Sequence, residues 1–205
     1  YDIGKPWMYS SLIANFDFPI YKSDESIKAE QDSILTAFQP YYNYNKTQEQ
    51  QQIKLFRQAF SQPSNILPAS VVHVITDRLH RLYSAGIIGT PEYNRIAEDS
   101  MRMVRLISGK EARSVQVNCL YSTLTAYETL LGDPALSPYR NILQRHNLIN
   151  YIAPNVVYDR QRSEAEKSDL LSSIPLASGM VMSGQKIIDR GDIVDEYTFR
   201  VLNSF

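Results

Sequence analysis

"MRMVRLISGKEARSVQVN", Met101 to Asn118, is the stretch that decides the fold class. "MRMVRLI" alternates apolar and basic residues with period two, "SGKEA" carries turn chemistry, and "RSVQVN" alternates again. Side chains of a strand point alternately to its two faces, so this period reads as a β-hairpin whose arginines face water. The flanking sequence carries mostly the helical period. The expected fold is therefore α+β: a helix-rich single domain over 1–205 with a small, mainly antiparallel sheet. Its strands would come from Leu12–Tyr21, the hairpin and the glycine-punctuated runs after Gly179.

Upstream of the hairpin, Ser23 is placed to cap a helix whose first turn holds Asp24 and Glu25, where carboxylates suit the helix dipole. Ile27, Ile34, Leu35 and Phe38 form its apolar stripe, and Pro40 stops it. Thr47 with Gln50 reads as a capping box for Gln48–Phe60, with Ile53, Phe56 and Phe60 on one face. "YYNYN" lies between these helices and reads as a loop. Pro68 opens a third helix, with Val71, Val72, Ile75, Leu79 and Leu82 apolar and Gly86 just past its end. Thr90-Pro91-Glu92 starts a short helix through Ala97.

Downstream, "LYSTLTAYETLLG" reads as a helix ended by Gly132, and Ser137-Pro138 opens another through His146. "NVVYD" returns to strand, Asp159 caps a helix to Leu171, and a helical tail reaches Phe205. "IYKSDESIKAEQDSILTAFQP" and "VYDRQRSEAEKSDLLSSIP" echo each other as strand-to-helix junctions, which predicts similar local packing.

A chain of 205 residues, 43% hydrophobic and 21% charged, can bury the core of a globular domain, with room for a small subdomain. Its 21 basic and 22 acidic residues nearly cancel and form no long block, so a phosphate-tracking surface for nucleic acid is not expected. Cys119 is the lone cysteine, which excludes an internal disulfide and a thiolate zinc site. The apolar runs are far shorter than the ~20 residues that span a bilayer. The opening Tyr1 and the closing "RVLNSF" suggest a piece of a longer chain.

Two groups of residues could carry chemistry. His73, Asp77 and His80 sit at i, i+4 and i+7, and seven residues advance a helix by about 700°, so the three share one face and could hold a metal. Val71, Ile75, Leu79 and Leu82 supply the buried stripe, so that face also reads as a solvated one. Tyr41, Tyr42, Tyr44 and Tyr158 are candidates for ligand binding, since amphipathic rings stack on sugars or peptides. No Gly-rich phosphate loop, nucleophile elbow, zincin helix or His-Asp dipeptide is present, so neither a cofactor nor a catalytic residue is expected.

Three segments carry a resemblance: "IANFDFPIYKSDESIKAEQDSILTAFQPYY", "NVVYDRQRSEAEKSDLLSSIP" and "GMVMSGQKIIDRGDIVDEYTFRVLNSF". In this order they resemble the extracytoplasmic domain of bacterial seven-transmembrane receptors with an intracellular HD hydrolase domain. The resemblance implies a membrane helix before the chain, a membrane bundle after it, and a cytoplasmic HD domain that hydrolyses cyclic di-AMP. It places the chain on the periplasmic face of the inner membrane, sensing an extracytoplasmic ligand or partner. The alternative is a structural module that binds an envelope protein or cell-wall polymer through its tyrosines. Both ends are then expected on one side of the fold.

Overall fold

The computed structural model describes residues 1–205 and divides into two compact units. One joins Tyr1–Phe38 to Glu164–Phe205, and the other is Gln39–Ser163. In chain order the first half holds β1 (Leu12–Ile13), β2 (Phe18–Tyr21), α1 (Asp24–Ala37), β3 (Tyr41–Tyr44), α2 (Thr47–Ala59) and α3 (Ala69–Ala85). Then come β4 (Ile87–Ile88), α4 (Thr90–Glu98), β5 (Met103–Ser108), β6 (Glu111–Gln116), β7 (Tyr121–Ser122), α5 (Thr123–Leu131) and α6 (Arg140–Arg145). The last elements are β8 (Val156–Tyr158), α7 (Arg160–Ser172), β9 (Ala177–Val181), β10 (Lys186–Ile188) and α8 (Glu196–Ser204). The fold is α+β, with eight helices and small, mostly antiparallel sheets.

The unit Gln39–Ser163 is built on a four-stranded sheet of order β6-β5-β3-β8. Its hairpin is the one read from the sequence, closed by Gly109-Lys110 with Gly109 at φ +63°, as the first central residue of a type II′ turn requires. Arg102, Arg105 and Arg113 are exposed, whereas Val104 and Leu106 point into the core. Beside the hairpin lies β3, parallel to β5 and antiparallel to β8. "YYNY" is thus an inner strand and not a loop. Its two partners are distant in sequence, and a four-residue strand interrupted by asparagine shows little of the strand period.

Helices pack beside this sheet. Phe56 and Phe60 of the α2 region meet Ile75, Leu79, Leu82 and Tyr83 of α3, joined by Ala126 and Leu130 of α5. Fully burying each large apolar side chain stabilises the unit by roughly 1.5–3 kcal/mol. The capping box expected at Thr47 does not form. Asn45 Oδ1 instead accepts from the Thr47 N–H at 3.0 Å and its hydroxyl at 2.8 Å. At α5 the strand β7 takes Tyr121 and Ser122, so the helix starts at Thr123, with Ser122 and Thr125 capping reciprocally. Asp133, not Ser137, caps the following segment, a 3₁₀ turn over Pro134–Tyr139 that leads into α6.

The other unit pairs β1 with β10 and β2 with β9, both antiparallel, so the first segment and the closing strands form their own sheets apart from the hairpin. Phe18, Ile20, Val181 and Val201 form one small core, and Trp7, Ile188, Val194 and Leu202 another. Ile193 makes a single bridge to Pro6 rather than a strand. Ser23 caps α1 as expected, accepting from Ser26 N at 3.2 Å, and Asp195 caps α8, accepting from Thr198 N at 2.7 Å. The α1 stripe is not buried, however: Ile27, Ile34 and Phe38 are half-exposed and Leu35 is open. No helix is long and apolar enough to cross a membrane.

Candidate functional site

The period-two pleat of β3 sends Tyr41 and Asn43 to one face and Tyr42 and Tyr44 to the other. The four candidate tyrosines therefore do not form one surface. On the outer face, the Tyr41 hydroxyl accepts from Arg105 Nη1 at 2.9 Å, and the Arg105 and Arg162 guanidiniums lie 5.6 and 6.0 Å from its ring centroid. On the inner face, Tyr44 donates to the Tyr83 carbonyl at 3.0 Å, which ties β3 to α3. Tyr83 in turn donates to the Tyr151 carbonyl at 2.7 Å and accepts from Ala153 N at 3.0 Å. Burial pushes the Tyr83 hydroxyl up to about 12. Tyr44 thus belongs to the scaffold.

Tyr42 and Tyr158 do come together. They are direct partners across β3 and β8, with ring centroids 5.4 Å apart and planes tilted by 53°. Tyr42 is 3% exposed, Tyr158 is half-buried, and neither hydroxyl hydrogen-bonds to another residue. Above them passes α4, started by Pro91 and buried only through Ile96. Glu92 and Arg95 stand three residues apart on it, which places them on one face.

Between α4 and this strand pair is a cavity of about 180 Å³, lined by Tyr42, Tyr158, Glu92, Arg95 and Asp99 with Pro40, Ile96 and Met101. Burial pushes the Glu92 carboxyl above the usual carboxylate range, and the Arg95 charge opposes the shift in part. Burial, followed by the Glu92 charge, holds the Tyr42 hydroxyl far above the ordinary phenol range. The cavity therefore presents two free phenols, both signs of charge and an apolar wall, which suits recognition of a small polar molecule more than bond-making chemistry.

A family model described as 7TM-HD extracellular matches residues 10–205. The chain belongs to this family. Neither a curated protein nor a solved structure matches it. As a 7TM-HD extracellular domain, the chain is the part of a membrane receptor that lies outside the cytoplasm.

Within this 7TM-HD extracellular domain, the three segments that carried the resemblance fall on β1 through α1 and into β3, on β8 through α7, and on β9 through α8. The cleft borrows from two of them. Tyr42 closes the first and Tyr158 opens the second, so the cleft floor is made by the strands through which the chain enters and leaves the unit Gln39–Ser163. Tyr1 and Asn203 are hydrogen-bonded at 2.8 Å, and the Tyr1 ring packs on Phe199 at 5.6 Å, so residues near both ends lie side by side as expected.

The other candidate group sits on the exposed face of α3. His73 and His80 are exposed, and Asp77 is engaged by Arg78 at 2.8 Å and Arg81 at 3.1 Å. His80 Nδ1 lies 2.5 Å from Glu49 Oε1 on α2. No three His, Cys, Asp or Glu side chains come together with the geometry to hold a metal. Glu92, Arg95 and Asp99 were not singled out from sequence, because charged residues on a short, mostly exposed helix carry no distinguishing pattern.

Proposed function

We propose that this 7TM-HD extracellular domain is a sensor: a small ligand in the cleft between α4 and the β3–β8 pair biases the membrane helices and, through them, the HD domain. The observation that carries the reading is the buried Tyr42 with a hydroxyl left free at a cavity that also holds Glu92 and Arg95. The Tyr42 ring is buried while its hydroxyl opens onto the cleft, so an exogenous polar partner can bond it without displacing a protein contact. The helix α4 is seated by Ile96, the half-buried Tyr93 and hydrogen bonds of Thr90 with Thr123 and Leu124 at its first turn, which leaves its charged face free to meet a ligand. A ligand bridging α4 to Tyr42 and Tyr158 has different affinity for seated and displaced arrangements, the condition for signalling.

On this reading the domain stands on the periplasmic face of a bacterial inner membrane, anchored by helices that flank it, and the cytoplasmic reaction is hydrolysis of cyclic di-AMP. The test is turnover of cyclic di-AMP by the full receptor in membranes, with and without residues 10–205. A rate that is the same in both, across conditions outside the vesicle, rejects the sensor. An assembly role is the second reading, favoured by apolar side chains such as Met8, Tyr9, Leu176 and Met180 that are more than half exposed. It predicts a stable complex with an envelope protein or cell-wall polymer and no small-molecule response.

A further inference from the structure

Size narrows what the cleft can take. At about 180 Å³ the cavity is well below the ~300 Å³ at which drug-sized pockets begin. A molecule of a few heavy atoms fills this room.

Charge narrows it further. Glu92 and Asp99 offer carboxylates and Arg95 a guanidinium, and none of the three takes part in a salt bridge, although i, i+3 and i, i+4 spacings put them within reach of one another on a helix. Asp99 also closes α4, where the helix carbonyls add negative partial charge. A simple anion would meet two carboxylates, and a simple cation would meet Arg95. Arg95 and Asp99 are exposed and Glu92 is half-buried, so water solvates all three without a ligand, and a molecule carrying both charges complements them together. Independently of these charges, Tyr42, 3% exposed as a residue, turns into the cleft a hydroxyl that no other residue engages, where a ligand can bond it. Its ring and that of Tyr158 also offer faces to a cation.

We infer that the cleft between α4 and the β3–β8 pair binds a small zwitterion of the α-amino-acid type. Its ammonium is taken by Glu92 and Asp99, and its carboxylate by Arg95 in the paired geometry that guanidinium favours. A short aliphatic side chain lies against Pro40, Ile96 and Met101. The inference rests on the sensor reading and gives its ligand class.

Isothermal titration of the chain with glycine, L-alanine, D-alanine and L-valine tests it, with acetate and methylammonium as single-charge halves. At least one zwitterion binds saturably, and each half binds at least about tenfold more weakly, the effect of losing one charge-assisted contact. Glu92→Gln and Arg95→Gln each weaken binding by about tenfold or more while circular dichroism and unliganded melting are retained. Should either variant melt early, Tyr42→Phe, which deletes one hydroxyl, is read instead and weakens binding severalfold. Binding by no zwitterion, or binding indifferent to these substitutions, overturns the inference. Binding of acetate or methylammonium alone, lost in the same variants, overturns the zwitterion and leaves the sensor reading intact. That reading fails separately, if full-receptor turnover ignores deletion of the domain.

Discussion

Tyr42 and Tyr158 face each other across adjacent antiparallel strands, their ring centroids 5.4 Å apart, and floor a cavity whose far wall is Glu92 and Arg95 of α4. The two tyrosines are separated by more than half the chain, and each lies where the chain crosses into or out of the unit Gln39–Ser163. A molecule held there touches both crossings and α4 at once. On the sensor reading, this relation makes the cleft the control point of the domain.

Glu92 has no ion-pair partner to lose, and burial raises its carboxyl above the usual range. A raised carboxyl destabilises the fold once it is ionised: the cost is absent below the unfolded value of about 4.3 and complete above the folded value. Glu92→Gln is therefore at least as stable as the parent at pH 7. Its advantage shrinks as pH falls toward about 4, measured as the difference in melting temperature between the two proteins. A variant that is less stable at pH 7 shows instead that Glu92 is structural.

Asn155 is 1% exposed and stitches two elements together, accepting from Ile87 N at 2.8 Å and donating to the Tyr83 carbonyl at 2.8 Å. Asn155→Ala leaves a buried N–H and shortens the bonding of a buried carbonyl. The expected loss is about 3 kcal/mol in urea unfolding, given about 1–3 kcal/mol for each buried group left unpaired.

Gly86 ends α3 at φ +109°, and a Cβ there would stand 2.8 Å from Leu120 Cδ2 and 3.0 Å from Val156 Cγ2. Both strain and overlap oppose Gly86→Ala, with a cost of about 2 kcal/mol or more in melting experiments. Gly109→Ala in the hairpin turn, at φ +63° but with open space around the new Cβ, carries the backbone term alone and costs about 1 kcal/mol.

On α3, His73 is exposed, Asp77 is held by two arginines, and His80 lies against Glu49. His80→Ala removes one largely exposed pair and shifts stability by less than about 1 kcal/mol. Neither a chelator nor added zinc moves the melting curve. A chelator-induced drop that His80→Ala abolishes would revive the metal reading.

Much of this fold is legible in short-range patterns. The hairpin declares itself by alternation, and Ser23, Pro91, Gly86, Gly132 and Asp159 sit at the helix ends their chemistry favours. What the residues do not disclose depends on distant partners. "YYNY" becomes a strand because β5 and β8 flank it, and the α1 stripe, for all its period, meets no core. Half the cleft was within reach, since Tyr42 and Tyr158 are conspicuous, whereas Glu92 and Arg95 gain meaning only once α4 lies over that pair. The segment 155–175 echoes 20–40 as expected in its local structure: each is a strand, a capped helix and a closing proline, with helices that bury almost nothing.

The most direct measurement is cyclic di-AMP hydrolysis by the full receptor in sealed vesicles, with a small zwitterion added on the extracytoplasmic side. The intact receptor changes its turnover as the ligand saturates, and the paired variant Glu92→Gln with Arg95→Gln stays at the unliganded rate. Equal turnover in the intact receptor, the paired variant and a receptor lacking residues 10–205, with and without ligand, would contradict the account.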